Sequence, residues 1–116
     1  RKYLAVDGGM SDNIRPALYQ AEYEVLNPVN LDGEKQLVDV VGKCCESGDL
    51  IQENIMMPEI KVGDTLAILA TGAYNYSMAS NYNRIPRPPI VAVKGNEKKV
   101  IVKRETYDDI IRNDVL

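Results

Sequence analysis

Cys45 and Glu46 stand side by side in a polar turn, Cys45-Glu46-Ser47-Gly48-Asp49, in a chain of 116 residues that has no histidine. A thiol is a soft nucleophile and a weak acid, and a carboxylate beside it can hold an ammonium group. No imidazole is present to activate the thiol. The pair therefore reads as one part of a site whose remaining chemistry lies elsewhere. By pattern alone, a small apolar Cys in a core with Glu46 in solvent is the favoured alternative. Gly48 permits a positive φ, which would turn Glu46 outward. Cys44 is read as a neighbour on the opposite face of a strand.

Arg15 and Tyr19 are four residues apart around Pro16. A helix starting there sends both side chains out on one face. A guanidinium and a phenol on one face suit a carboxylate, which arginine grips with two hydrogen bonds. The same spacing also fits a surface arginine stacked on a tyrosine. Tyr74 follows Gly72-Ala73 at the start of a polar stretch. There it could hydrogen-bond a phosphate oxygen, or pack at the edge of the core. Asp7-Gly8-Gly9 could cradle an anion, although after a strand it is more often a plain turn. Pro86-Arg87-Pro88-Pro89 is read as a connector rather than a polyproline ligand.

The elements that must position these residues are short. Tyr3–Val6, Tyr23–Leu26 and Leu37–Val41 are strand candidates closed by Gly, Asn or Pro. Leu50-Ile51 and Ile55-Met56-Met57 flank a polar Gln52-Glu53-Asn54. Leu66–Ala70 reads as a buried run. Short helices are expected over 16–21, with Ser11, Asp12 or Asn13 as cap, and over 74–80. Ile90–Val93 and Val100–Val102 predict a hairpin around Gly95-Asn96. Thr106 and Asp109 have capping-box spacing before a last short helix to about Asn113. Many short strands with Gly and Pro turns predict a mainly β fold, a Greek-key-like barrel or sandwich with small helical insertions, as a single domain over 1–116.

Composition excludes several classes. The core must come from Val, Ile, Leu, Met, Ala and seven tyrosines, because there is no Phe or Trp. The net charge of −3 and the absence of a long basic run argue against a nucleic-acid partner. The densest basic stretch, Lys98-Lys99 to Lys103-Arg104, alternates with Val and Ile and reads as the solvent face of a strand. Two cysteines without histidine cannot complete a zinc site, so no metal is expected. No apolar run is long enough to cross a bilayer. Two thiols point to a reducing, cytoplasmic setting. The chain starts without Met and enters a strand at once, as a fragment of something larger would.

Taken together, these stretches are more specific than each alone. Val6-Asp7-Gly8-Gly9-Met10-Ser11-Asp12-Asn13-Ile14-Arg15-Pro16-Ala17-Leu18-Tyr19 resembles the signature that opens the C-terminal domain of the diaminopimelate decarboxylase family. Cys45-Glu46-Ser47-Gly48-Asp49 resembles the second signature of that family. Gly72-Ala73-Tyr74, with Tyr76-Ser77-Met78 and Ser80–Asn83, resembles the third, and Arg87-Pro88 continues in the same manner. The resemblance runs nearly the full length of the chain.

The resemblance implies a homodimeric enzyme that uses pyridoxal 5′-phosphate to convert meso-2,6-diaminopimelate to L-lysine and carbon dioxide. It implies an N-terminal (β/α)₈ barrel, outside these residues, that carries the cofactor on a lysine. The chain in isolation is then expected to be inactive. By resemblance Arg15 and Tyr19 bind the carboxylate at the non-reacting end of the substrate. Tyr74 lies against the cofactor. Cys45 and Glu46 cross the dimer into the partner's site, Glu46 holding the distal ammonium and Cys45 lying near the reacting carbon. Related decarboxylases for ornithine, arginine or carboxynorspermidine carry a different run after the motif cysteine, so Glu46-Ser47-Gly48 argues for diaminopimelate. A non-catalytic dimerisation or regulatory module is the alternative from another class.

Overall fold

The computed structural model describes residues 1–115. The chain resolves into two compact units, Arg1–Ala79 and Ser80–Leu116.

In the first unit, β1 (Tyr3–Ala5), β3 (Lys35–Val41) and β4 (Leu50–Pro58) form a three-stranded sheet in the order β1-β3-β4. β1 runs parallel to β3, pairing Leu4 with Val40, and β3 runs antiparallel to β4. β2 (Val25–Leu26) and β5 (Ala67–Ile68) make a separate antiparallel pair. Val25, Val38, Val40, Ile51 and Met57 form the core, and Leu4, Val6, Ile55, Ile60, Leu66 and Ile68 pack on it. Branched side chains suit a pleated surface covered on one face.

The polar Gln52-Glu53-Asn54 does not interrupt β4. Val38 pairs with Ile55 and Val40 with Gln52, so Asp39 faces two residues, Glu53 and Asn54. This is a β-bulge, with Asn54 at φ 54°. Asp39 is buried within β3. Its carboxylate accepts from the Asn54 amide at 2.8 Å and from the Arg1 guanidinium. Those two partners, the amide first, hold its carboxyl below the usual range. A buried polar group that would otherwise be orphaned thus closes the bulge.

The mainly β expectation, a barrel or a sandwich, holds, with the barrel its loosest part. Among the described residues the chain is mainly β, but its sheets stay separate and do not close. β2 and β5 have two residues each, too short to continue a hydrogen-bonded ring. The run 66–70 is likewise only half-buried over Leu66–Ile68, and Leu69 and Ala70 are exposed. The strand ends at Ile68, and Ala70 beyond it turns at φ 56°.

In the second unit, β6 (Ile90–Lys94) and β7 (Glu97–Val102) form the expected hairpin. Lys94 pairs with Glu97 across Gly95-Asn96, with Gly95 at φ 57°, the conformation a two-residue turn requires. Both faces are wet: Val91 to Ile101 are exposed throughout, so the lysines do not mark a single solvent face. The final helix (Tyr107–Ile111) begins at the Thr106/Asp109 capping box. The Thr106 amide donates to Asp109 at 2.7 Å, and the Asp109 amide donates to the Thr106 hydroxyl at 3.3 Å. Glu105 ties the unit together. Its carboxylate accepts from the Arg87 amide at 2.7 Å, from Asn81 at 2.7 Å and from the Arg87 guanidinium at 2.8 Å. These bonds, the backbone one foremost, hold its carboxyl below the ordinary glutamate range.

Candidate functional site

Two groups of chemistry-bearing residues lie in the first unit. The first is built on α1 (Arg15–Tyr19), whose early proline is pre-set for a helix start. The entry is held by Asn13, whose side-chain oxygen accepts from the Arg15 amide at 3.2 Å. Gln20 ends the helix in the left-handed conformation, its amide donating to the Pro16 carbonyl at 3.0 Å. Arg15 and Tyr19 therefore leave on one face, and the Arg15 Cζ lies 5.2 Å from the centre of the Tyr19 ring.

Tyr74 joins them from a distant part of the chain. It is the N-cap of α2 (Asn75–Met78) at φ 70°. Its ring centre lies 5.1 Å from the Arg15 Cζ, opposite in sequence but adjacent in space. The Met78 sulfur approaches the same guanidinium at 3.8 Å. Both tyrosines remain well exposed, Tyr19 at 61% and Tyr74 at 66%. Two aromatic faces thus orient one cation while its fork stays within reach of solvent, an arrangement that can receive a carboxylate. Sequence spacing had paired Arg15 with Tyr19. Nothing local signals the contact with Tyr74, because it is made by the tertiary fold.

The second group is the turn 43–49. It carries Cys45 and Glu46, both exposed, while Cys44 is buried. The two cysteines do face opposite ways, but in a turn beyond β3 rather than on a strand. Cys45, Glu46 and Ser47 line an open depression of about 470 Å³ with Arg1, Tyr3 and Glu53. Arg15, Tyr19 and Tyr74 do not line it. The structure therefore brings Arg15, Tyr19 and Tyr74 together and sets Cys45 and Glu46 at a depression that those three residues do not line.

The expected positive φ at Gly48 is also corrected. The left-handed residue of this turn is Cys45, at φ 54°, so the thiol itself sits on the sharp bend. Asp49, buried at 4% exposure, closes the turn. Its carboxylate accepts from the Cys44 amide at 2.8 Å and from the Met10 amide at 2.7 Å. Gly9 leaves room for the Asp49 carboxylate, but none of Asp7, Gly8 and Gly9 is shown donating to it; its donor from this loop is the Met10 amide. Asp12 is drawn into the same loop and accepts from the Gly9 amide at 3.1 Å. Burial pushes its carboxyl above the usual range.

Residues 1–72 match the family model for the C-terminal sheet domain of pyridoxal-dependent decarboxylases. The chain belongs to that family. It is 58% identical over 117 aligned residues to the diaminopimelate decarboxylase of Bacillus subtilis, a match spanning 99% of this chain and 26% of the relative. A crystal structure of diaminopimelate decarboxylase from M. jannaschii in complex with L-lysine superposes with a TM-score of 0.91 at 38% identity, covering 98% of this chain and 26% of that one. A lysine/ornithine decarboxylase from Vibrio vulnificus, complexed with cadaverine, fits less fully: TM-score 0.65, 27% identity, 73% of this chain and 23% of that one. The chain spans about a quarter of the length of the curated relatives it matches. Among the described residues no helix is long and apolar enough to cross a membrane.

Proposed function

We propose that this chain is the substrate-binding and dimerisation domain of a pyridoxal 5′-phosphate-dependent diaminopimelate decarboxylase. The whole enzyme converts meso-2,6-diaminopimelate to L-lysine and carbon dioxide in the cytoplasm. The observation that carries this reading is the Arg15 guanidinium placed against the rings of Tyr19 and Tyr74, with a thiol and a carboxylate presented together at an open depression. The fuller match to diaminopimelate decarboxylases than to the lysine/ornithine enzyme supports the choice of substrate.

Arg15 and Tyr19 receive the carboxylate at the non-reacting end of the substrate, and the fork of Arg15 supplies two parallel hydrogen bonds. Tyr74 is the cofactor-facing residue. An exposed phenol beside a cation fits the phosphate or the ring of pyridoxal phosphate. When bound, the cofactor accepts the electron pair left by the departing carboxylate. In a homodimer with shared sites, Cys45 and Glu46 act in the partner's pocket. Glu46 holds the distal ammonium, and an analogue without that amine is rejected because it leaves the Glu46 carboxylate unpaired. The Cys45 thiol gives its proton to the carbon that has lost carbon dioxide and recovers one from solvent.

The test is to express the gene with the coding sequence upstream of Arg1 and supply pyridoxal phosphate and meso-2,6-diaminopimelate. Stoichiometric lysine and carbon dioxide are expected. A product other than lysine, or ornithine as the better substrate, would overturn the assignment.

A further inference from the structure

We propose that Asp49 is the positioning residue for Cys45 and Glu46, an inference that rests on the reading of that pair given above. The residues on either side of Cys45 are both bonded to Asp49. The Cys44 amide donates to its carboxylate at 2.8 Å. The Asp49 amide donates to the Glu46 carbonyl at 3.0 Å, and the Asp49 carbonyl accepts from the Gly42 amide at 2.9 Å. Between these anchors Cys45 holds φ 54°. A side chain bearing a Cβ visits that region only at some cost, and persists there when its surroundings over-determine it.

The carboxylate is packed closely against two glycines. A Cβ at Gly42 would lie 2.2 Å from an Asp49 carboxylate oxygen, and one at Gly9 would lie 2.8 Å from the same oxygen and 3.0 Å from the Cys44 sulfur. Two glycines thus make room for one buried acid. Each oxygen serves a different backbone donor, Met10 on one side and Cys44 on the other. An amide offers a single acceptor oxygen and would oppose an N–H₂ to one of those N–H groups. Asp49 therefore ties the turn carrying Cys45 and Glu46 to the Gly8–Asn13 loop that leads into Arg15. It acts through these neighbours and takes no part in the proton transfer.

The experiment uses the full-length holoenzyme with Asp49→Asn, and with Gly9→Ala, which presses on the same carboxylate without changing its charge. Iodoacetamide labelling is followed at Cys44 and Cys45 by tandem mass spectrometry. The buried Cys44 is expected to label about tenfold faster in either variant, with the Cys45 rate also changed. The ratio of kcat/KM for diaminopimelate to that for an analogue lacking the distal amine is expected to fall about tenfold. That ratio does not depend on the fraction of active enzyme, so loss of folded protein alone leaves it unmoved. Unchanged labelling in a variant with native melting overturns the proposal, as does altered labelling with an unchanged ratio. If Asp49→Asn does not fold, Gly9→Ala decides by the same two readings. If the wild-type enzyme does not decarboxylate diaminopimelate, the functional reading falls and the labelling pattern alone decides for or against Asp49.

Discussion

The Arg15 guanidinium lies 5.1 Å from the centre of the Tyr74 ring, so a helix near the start of the first unit and a helix near its end share one cation. Arg15→Lys keeps the charge but loses the fork and most of the stacking. In the full-length enzyme it should raise KM for diaminopimelate by roughly 10- to 100-fold, the equivalent of a lost charge-assisted hydrogen bond of about 1.5–3 kcal/mol. Tyr74→Phe retains the aromatic face and should disturb KM less than Tyr74→Leu does. Steady-state kinetics of the three variants check both orderings.

Glu46→Gln should raise KM more for diaminopimelate than for an analogue without the distal amine, because only the former brings an ammonium to be paired. A difference of about tenfold between the two substrates is the scale of one charge-assisted bond. Equal effects on both substrates would remove Glu46 from recognition.

Mixing full-length Cys45→Ala chains with full-length chains in which the lysine proposed to hold the cofactor is replaced tests whether sites are shared. Shared sites restore about one working site per pair of chains, since one pocket then combines an intact lysine with an intact Cys45. Independent sites restore none. Activity across a titration of the two chains measures this.

Glu105 makes a prediction about pH. Its carboxyl is held below the ordinary range by the Arg87 amide first, then by Asn81 and the Arg87 side chain. A depressed folded-state pKa means stability that is present above the unfolded value and lost as pH falls through the folded one. Hydrogen-exchange protection around Arg87 should therefore decline as the solution is acidified below about pH 4.5, near the ordinary glutamate pKa. Glu105→Gln should lower protection at neutral pH by about 1–3 kcal/mol and flatten that decline. A profile as steep in the variant as in the wild type would place the acid sensitivity elsewhere.

How far the fold could be read in advance depended on how local its causes are. Pro16, the Gly95-Asn96 turn and the Thr106/Asp109 box each act within a few residues, and each was legible. The single strand β4 was not, because the polar Gln52-Glu53-Asn54 masks a bulge that is closed by Asp39 from the neighbouring strand. The mainly β class was legible, but whether the sheets close was not: alternation predicts strands, whereas closure depends on which edges find partners. In the candidate site, the Arg15–Tyr19 face followed from helical spacing. The role of Asp49 did not, since one of its two carboxylate donors, Met10, comes from a loop far away in sequence. Gly9 offered the only hint, as a glycine placed where a backbone or side chain must come close.

The left-handed Cys45 has a bearing on protein engineering. Its bend is imposed by Asp49 and made possible by the space left at Gly9 and Gly42. A designer who transplants the five residues from Cys45 to Asp49 into another scaffold would carry over the reactive groups but not the frame that aims them. A portable version must include both glycines and the Met10 amide, so the smallest transferable unit is a pair of loops rather than a peptide motif.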